Sequence, residues 1–399
     1  MTTELTVSGF CDERFAEVRA EFERNFAERG EIGASVALLV DGQPLVDLWA
    51  GTVDRDGTPW SEDTMTVVFS CTKGATALCA HLLADRGELD LDAPVAEYWP
   101  EFATNGKEKA TVEMMLNHSV GVPAFRDRLP DGACADWDLM VERLAAEEPW
   151  WEPGTRNGYH MMSFGWTVGE LVRRVSGRSL GTYLAEEIAG PLGADFFIGI
   201  PPQHEDRVAS VIPAKPQRDD MTEFTKVVVD EPASLQRMAL MNNGGFDPNN
   251  PVYRRAEIGG GGGVANARGL ASMYRPLAAG GGDLFSPRAV ARMGEVSVAT
   301  KRDATLLLPT RFALGFMKSM DNRRVPFGDR DSVILSSQAF GHVGAGGSIG
   351  FADPARGLSF GYAMTMMGPG ILLNPRGQAL VDATYRALGC TDDGGGVWI

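Results

Sequence analysis

Hydrophobic positions in the first part of the chain follow a helical pattern and then an extended one. Across residues 12–29 the apolar side chains recur at the spacing of one helix face, with acids and arginines between them. Residues 34–40 are almost continuously apolar, residues 41–42 are Asp-Gly, and residues 44–50 form a second apolar run. This order predicts an amphipathic helix packed on an antiparallel hairpin. The apolar positions of the predicted helix face are Phe15, Val18, Phe22 and Phe26.

The next apolar run, residues 67–69, ends at Ser70, and helix-forming sequence follows over residues 75–84. Lys73 comes three residues after Ser70, which places both on the same face of a helix that starts at the serine. Such a serine lies near unpaired N–H groups and the positive end of the helix dipole. The spacing therefore favours a serine nucleophile with a lysine base beside it. The alternative is a helix-capping serine followed by a solvated lysine.

From about residue 89 to residue 258 the pattern is mostly helical or loop-like, with helices predicted over 111–116, 137–144 and 164–175. We interpret residues 89–258 as a helical lobe inserted into an α/β lobe made of residues 1–88 and 259–399. This organisation predicts an α+β fold with an active site in the cleft between the two lobes. The glycine run 259–263 lacks a following Gly-Lys-Ser/Thr, so we interpret it as a flexible return from the helical lobe rather than a phosphate loop.

The last third of the chain has extended patterns over residues 340–354 and 358–367, which flank a turn at 355–357. Helices are predicted over 268–278 and 381–388. Within the first extended segment, Ser348 lies in a Gly-Gly-Ser-Ile-Gly sequence that matches the nucleophile elbow of α/β-hydrolases. That motif requires a strand, a sharp turn and a helix, with a histidine later in the chain. Ser348 is followed by strand patterns and by no histidine, so we reject it as the nucleophile.

Other side chains are weaker candidates for chemistry. Tyr159 lies on a predicted loop before a helix, where it either points into a cleft or belongs to the core. Cys71 follows Ser70 directly and is predicted to be a buried structural thiol. His160 either lines the cleft or closes a loop. The histidines His81, His118, His160 and His204 lack metal-ligand spacing, so we expect no metal and no other cofactor.

Composition excludes several classes of partner. The chain has 399 residues, 44% of them hydrophobic, and a net charge of −16, which argues against nucleic acid and anionic membrane surfaces. Its five cysteines have no close-paired spacing, which is typical of reduced thiols in the cytoplasm. We see no signal peptide and no apolar run of the roughly 20 residues that span a bilayer. We therefore expect a cytoplasmic protein with a small-molecule partner, and the sequence indicates no oligomeric state.

Three motifs in this order carry a family resemblance. Ser70-Cys71-Thr72-Lys73, Tyr159 after Trp151-Glu152-Pro153-Gly154, and His342-Val343-Gly344 resemble the motifs of the serine β-lactamase and penicillin-binding-protein superfamily. More narrowly, nearly the whole chain resembles the class C β-lactamase-like esterases called family VIII carboxylesterases. The resemblance implies a β-lactamase/transpeptidase-like fold, an antiparallel sheet flanked by helices with an inserted helical lobe.

The resemblance also implies roles for the matching positions. Ser70 would be the acylated nucleophile, and Lys73 and Tyr159 would share the acid and base work. The backbone N–H groups of Ser70 and Ala345 would hold the oxyanion. His342 and Gly344, in the third motif, would line the opposite wall of the cleft.

Two departures from the class C β-lactamase pattern narrow the predicted substrate. Met161 stands where those enzymes carry asparagine, and His342 stands where they carry lysine. Both changes weaken recognition of the amide and carboxylate of a β-lactam, so we predict hydrolysis of uncharged carboxylic esters with small or medium acyl chains. The alternatives are an acyltransferase of secondary metabolism, a weak β-lactamase or D-amino-acid amidase or peptidase, and an inactive binding module with the same fold.

Overall fold

A computed structural model describes residues 5–215 and 218–399 of this chain. The strands of the described residues are β1 (Ser8–Cys11), β2 (Gly33–Val40), β3 (Gln43–Gly51), β4 (Thr66–Val67), β5 (Phe196–Phe197), β6 (Val264–Ala265), β7 (Val298–Thr300), β8 (Thr310–Phe312), β9 (Phe340–Val343), β10 (Ile349–Asp353) and β11 (Leu358–Met364). A six-stranded sheet runs in the order β1-β3-β2-β11-β10-β9, and every neighbouring pair is antiparallel. This arrangement confirms the predicted antiparallel sheet.

Helices cover both faces of this sheet and fill the middle of the chain. They are α1 (Ala16–Glu28), α2 (Cys71–Asp85), α3 (Val112–Leu116), α4 (Trp137–Ala146), α5 (Phe164–Ser176), α6 (Leu180–Leu184), α7 (Gly190–Leu192), α8 (Glu223–Asp230), α9 (Leu235–Met241), α10 (Pro251–Arg255), α11 (Ala267–Ala278), α12 (Pro287–Gly294) and α13 (Pro375–Ala387). A single π-helical turn, Ala185–Ala189, joins α6 to α7. No helix within the described residues is long and apolar enough to cross a bilayer.

The predicted hairpin forms because its turn residues accept an uncommon backbone conformation. Asp41 and Gly42 between β2 and β3 both have positive φ, 50° and 75°, which is the requirement of a type I′ turn. Alternate residues of β2 then face opposite layers. Val36 and Leu38 pack into the core shared with α1 and α13. Ala37 faces α11 on the other side of the sheet.

Glycines in the central strands allow α11 to lie close to the sheet. A Cβ atom on Gly361 would stand 2.2 Å from the backbone oxygen of Ala267, at the start of α11. A Cβ on Gly350 would stand 2.7 Å from the Tyr274 ring. The sheet can therefore carry α11 on this face only while β10 and β11 lack side chains at these positions.

The helical part of the chain surrounds α2, whose residues 71–83 are all buried. A helix that is apolar all round belongs in the interior of a large domain. The helices predicted over 111–116, 137–144 and 164–175 are confirmed as α3, α4 and α5. The division of the chain at residues 88 and 259 stays a prediction.

The prediction of a flexible glycine return was wrong. Gly259–Gly263 is buried throughout, because the start of α5 packs directly on its backbone. A Cβ on Gly165 would lie 2.0 Å from the Gly260 nitrogen. Two smaller differences concern boundaries: the last strand ends at Met364, and the last helix begins at Pro375 after an Asn374 cap, earlier than residue 381.

Candidate active site

Ser70 lies at a sharp turn between β4 and α2. The residue before it, Phe69, has a positive φ of 45°, a conformation that few residues other than glycine adopt. The hydroxyl and the N–H of Thr72 both donate to the Phe69 carbonyl and hold this turn. Ser70 makes no side-chain capping bond to α2, so its half-buried hydroxyl is available to another partner.

That partner is Lys73, one helical turn later. Lys73 is fully buried, and its Nζ lies 3.0 Å from Ser70 Oγ. Nζ also donates to the carbonyl oxygens of Met161 and Gly260, each at 2.6 Å. No carboxylate pairs with Lys73 in the described parts of the chain, and burial holds the pKa of its amine well below the usual value. A neutral amine has two N–H bonds for these two carbonyls and one lone pair left for the Ser70 hydroxyl proton.

Tyr159 covers the other side of Lys73. Its ring stacks on Phe312 with the ring centres 5.8 Å apart, and Lys73 Nζ lies 4.8 Å from the centre of the Tyr159 ring. The buried phenolic oxygen makes no hydrogen bond of ordinary geometry within residues 5–215 and 218–399. Burial raises the pKa of this phenol far above its usual value, and the nearby Ser70 side chain opposes the rise only in part. Tyr159 therefore stays protonated and can act as a proton donor.

The backbone N–H groups of Ser70 and Ala345, the predicted oxyanion donors, donate no hydrogen bond to any residue that the structure describes. The turn that presents Ala345 is closed by a bond of 2.7 Å from the Gly344 nitrogen to the Ser348 oxygen. Gly344 has no room for a side chain, because a Cβ would lie 2.2 Å from the Val68 oxygen. Free N–H groups in such a rigid turn can bind the oxygen of a polarised carbonyl.

Ser348, the serine of the rejected elbow motif, has a different part in this arrangement. It is fully buried, and its Oγ donates to the Val68 oxygen at 3.2 Å. The bond ties the turn after β9 to the segment that leads into Ser70. The hydroxyl is thus engaged in holding the two halves of the site together.

His342, in the third motif, is a neutral imidazole. Its Nδ1 bonds the Val343 oxygen at 2.8 Å, so Nδ1 carries the proton, and its buried Nε2 has no partner among the described residues. Burial lowers the pKa of His342 to about 3. The ring centres of His342 and Tyr159 are 6.0 Å apart. The third motif therefore places an uncharged group near Tyr159.

The structure shows what His160, whose role the sequence left open, binds, and it confirms that Cys71 is buried. His160 accepts a hydrogen bond from the Val122 N–H at 3.0 Å and bonds the Gly158 oxygen at 2.7 Å, so both of its nitrogens fasten loops. Cys71 is buried, and its Sγ donates to the His342 oxygen at 3.3 Å. Burial raises the pKa of the Cys71 thiol to about 12, which keeps it unreactive near neutral pH.

Three groups of the site escaped the sequence analysis. The carbonyls of Met161 and Gly260 bind Lys73 through backbone atoms, which no residue pattern reveals. Asp303 binds the Tyr159 backbone from 144 positions away, on a segment without any recognised motif. Asp303 follows Lys301 and Arg302 in the sequence, so nothing in the sequence distinguishes it from an acid on the surface.

Comparison with known proteins places this geometry in a family. The family model described as Beta-lactamase matches residues 18–382. The Mycobacterium tuberculosis protein "Esterase/beta-lactamase LipL" is 37% identical over 373 residues, which cover 89% of this chain and 82% of LipL. The crystal structure of a family VIII carboxylesterase superimposes with a TM-score of 0.85 at 36% identity, and covers 96% of this chain and 100% of that one.

A penicillin-binding-protein homologue from Caulobacter crescentus superimposes with a TM-score of 0.84 at 37% identity, with coverage of 96% of this chain and 100% of that one. The likeness therefore extends over almost the whole fold. The chain belongs to the Beta-lactamase family and has the β-lactamase/transpeptidase-like fold.

Proposed function

We propose that this protein is a serine carboxylesterase that cleaves esters of small to medium acyl chains through an acyl-enzyme on Ser70. The observation that carries the proposal is the contact of 3.0 Å between Lys73 Nζ and Ser70 Oγ, made by a buried amine without a carboxylate partner among the described residues. The names of two relatives support the choice of substrate, since one is an esterase/β-lactamase and the other a family VIII carboxylesterase.

In the proposed acylation step Lys73 is the base. The Ser70 hydroxyl passes its proton to the Lys73 lone pair while Oγ forms a bond to the ester carbonyl carbon. The two carbonyl contacts of Lys73 stay in place as the amine becomes an ammonium group, so the charge forms in a site already arranged for it. The carbonyl oxygen becomes an oxyanion and accepts hydrogen bonds from the N–H groups of Ser70 and Ala345. Each such donor lowers the barrier by about 3 kcal/mol.

Breakdown of this intermediate needs a proton for the leaving alcohol. The carbon–oxygen bond of the ester breaks, the alkoxide takes the phenolic proton of Tyr159, and Lys73 returns a proton to the phenolate. Water then attacks the acyl-enzyme and gives its proton to Lys73, which restores the Ser70 hydroxyl when the acid leaves. The sum is ester plus water to acid plus alcohol.

Selection against charged substrates follows from His342. Because burial lowers its pKa to about 3, this imidazole is neutral near pH 7 and offers no cation to a substrate carboxylate. An uncharged ester loses no interaction when histidine replaces the lysine of class C β-lactamases at this position. The carboxylate of a β-lactam, in contrast, loses a charge-assisted hydrogen bond. We propose β-lactam hydrolysis as a slower second activity, in keeping with the double name of LipL.

We also propose a reducing compartment, the cytoplasm, for this protein. All five cysteines are free thiols, and Cys71, Cys79, Cys134 and Cys390 are buried. A chain exported to an oxidising compartment commonly pairs its cysteines, and none is paired here.

The proposal is tested by intact mass after reaction with a fluorophosphonate, with turnover of p-nitrophenyl acetate and butyrate and of a chromogenic cephalosporin measured in parallel. Wild type and the variants Ser70→Ala and Ser348→Ala are compared. We expect one adduct on wild type and on Ser348→Ala, none on Ser70→Ala, and ester turnover well above cephalosporin turnover.

Two results would overturn the proposal. An adduct that persists in Ser70→Ala would move the nucleophile elsewhere. Cephalosporin turnover above ester turnover would make the protein a β-lactamase. Addition of an alcohol acceptor to the same assay, with product analysis, separates hydrolysis from acyl transfer, because a transferase forms the new ester in place of the acid.

A further inference from the structure

We propose that Asp303 is the positioning residue of Tyr159, and that its buried carboxylate sets where the phenol stands relative to Ser70 and Lys73. The inference rests on the proposed function, because it concerns the proton transfer assigned there to Tyr159. It adds a residue outside the three motifs to the machinery of that reaction.

Both carboxylate oxygens of Asp303 accept a hydrogen bond from the backbone N–H of Tyr159. The Tyr159 nitrogen lies 3.0 Å from Oδ1 and 3.1 Å from Oδ2. The N–H groups of Thr305 and Leu306 donate to Oδ1, each at 2.8 Å. The Thr310 hydroxyl donates to Oδ2 at 3.3 Å. One fully buried side chain therefore joins the tyrosine loop to the segment 303–310.

Burial raises the pKa of the Asp303 carboxyl group, and the hydrogen bonds from its four donors oppose that rise. Four donors are best satisfied by an ionised carboxylate, which only accepts hydrogen bonds. No lysine, arginine or histidine forms an ion pair with Asp303 in the part of the chain that the structure describes. Leaving a buried charge without a cation is unfavourable, and only several good hydrogen bonds make it tolerable. An asparagine at this position would place its side-chain NH₂ group against N–H donors. Some of the hydrogen bonds that Asp303 accepts would then be lost.

The same segment also holds the other side of the tyrosine loop. The Ala304 N–H donates to the Asn157 oxygen at 3.0 Å, and the Thr310 hydroxyl lies 3.4 Å from Asn157 Oδ1. Between these anchors stands Gly158, where a Cβ would come within 2.9 Å of Ala304. With both neighbours fastened and no space at Gly158, the backbone at Tyr159 has one available position. This backbone position places the Tyr159 ring against Phe312 and beside Lys73.

The charge of Asp303 acts on Tyr159 in a second way. Burial is the main cause of the raised pKa of Tyr159, and the nearby Asp303 carboxylate adds to it because an anion disfavours the phenolate. The other titratable groups that face Tyr159 are Lys73, His118, His342 and Cys71.

The experiment compares Asp303→Asn with Asp353→Asn. Asp353 is a matched control: it is fully buried, accepts from the Ser336 hydroxyl at 2.6 Å and the Tyr385 hydroxyl at 3.0 Å, and makes no contact with Tyr159. The readouts are Tm, and kcat and KM for a p-nitrophenyl ester. We expect similar losses of Tm, and a kcat about 100-fold lower for Asp303→Asn at a nearly unchanged KM. Asp353→Asn keeps kcat within about threefold of wild type.

Equal kcat values for the two variants, or a loss in Asp303→Asn that appears in KM and not in kcat, would overturn the inference. If Asp303→Asn does not fold, Thr310→Val replaces it: this variant keeps the side-chain shape and removes one donor to Oδ2. We expect a loss in kcat of about fivefold with KM unchanged, and an unchanged kcat would overturn the inference. Failure of the proposed function looks different, because wild type would then fail to label at Ser70 or to turn over ester.

Discussion

The Tyr159 hydroxyl is a buried polar group without a hydrogen-bond partner among the described residues, directly beside the candidate nucleophile. Its ring, in contrast, is held on several sides by Phe312, His118 and Lys73. The ring and the hydroxyl therefore have separate roles. The ring packs in the core, and the hydroxyl is available to hydrogen-bond a ligand. Buried polar groups without a hydrogen-bond partner lower stability, and they are common in active sites, where they take part in the chemistry.

Tyr159→Phe removes the oxygen and keeps the ring. We expect Tm to stay equal or rise slightly, because the variant loses an unsatisfied buried hydroxyl rather than a contact. We expect kcat for an ester to fall about 100- to 10,000-fold, since the proton donor for the leaving alcohol is gone. Thermal unfolding and steady-state kinetics on the same preparation measure both. A large loss of Tm together with an unchanged kcat would assign the hydroxyl to the fold instead.

At the scale of elements, the contact between the start of α5 and the glycine run decides where one Lys73 partner lies. Gly165 touches the backbone of Gly260, and the Gly260 oxygen binds Lys73. The Thr76 hydroxyl fastens the same run through the Gly259 oxygen at 2.8 Å. Glycine is required because backbone meets backbone here, which leaves no volume for a methyl group.

Gly165→Ala therefore perturbs both stability and activity. A Cβ would stand 2.0 Å from the Gly260 nitrogen, so the glycine run must shift, at a loss of about 2 kcal/mol in the free energy of unfolding. The Gly260 carbonyl moves with it, and we expect kcat to fall about tenfold or more. Urea unfolding and ester kinetics check the two effects.

Gly177→Ala, at the other end of α5, is the control for that experiment. Gly177 has a φ of 70° and open space around its Cα, so alanine there costs about 1 kcal/mol of backbone strain and disturbs no contact. Activity per folded molecule should stay at the wild-type level. A wild-type kcat in Gly165→Ala would disprove the link between this helix packing and Lys73.

Across the whole molecule, buried histidines link stability to pH. Burial lowers the pKa of His81 to about 4 and the pKa values of His160 and His342 to about 3, and it lowers that of His118 well below 6.5. In the unfolded chain these groups bind a proton below about pH 6.5. Below that pH the unfolded state therefore holds more protons than the folded state, and the free energy of unfolding falls as the pH falls.

The substitution His81→Gln removes one of these titratable groups, so its contribution can be measured separately. His81 Nε2 bonds the Leu314 oxygen at 2.8 Å in a part of the core away from Ser70, and a glutamine amide can donate the same bond. Between pH 6 and pH 4.5, we expect the variant's free energy of unfolding to fall less steeply than that of wild type, by up to about 1.4 kcal/mol per pH unit. Urea unfolding at several pH values measures this slope, and equal slopes would show that His81 binds no extra proton on unfolding. Carboxylates such as Asp331, with a pKa raised to about 6, contribute equally in both proteins and cancel in the difference.

Local order in the chain was enough to predict the first helix, the hairpin, the helix after Ser70 and the pair Ser70 and Lys73. Helical and strand periods and the spacing of three residues act over a few positions, so they can be read directly. The family and the fold, predicted from three motifs, are confirmed by the comparisons. Tyr159 could be named from its loop, but its stacking on Phe312 could not.

Tertiary structure alone decided how Lys73 is held and what holds Tyr159. The Gly260 oxygen comes from 187 positions beyond Lys73, and Asp303 comes from 144 positions beyond Tyr159. A backbone carbonyl has no residue identity, and a buried acid shows its donors only when the chain is folded. The glycine run was misread for the same reason, because the neighbour that excludes its side chains, Gly165, lies on a distant helix.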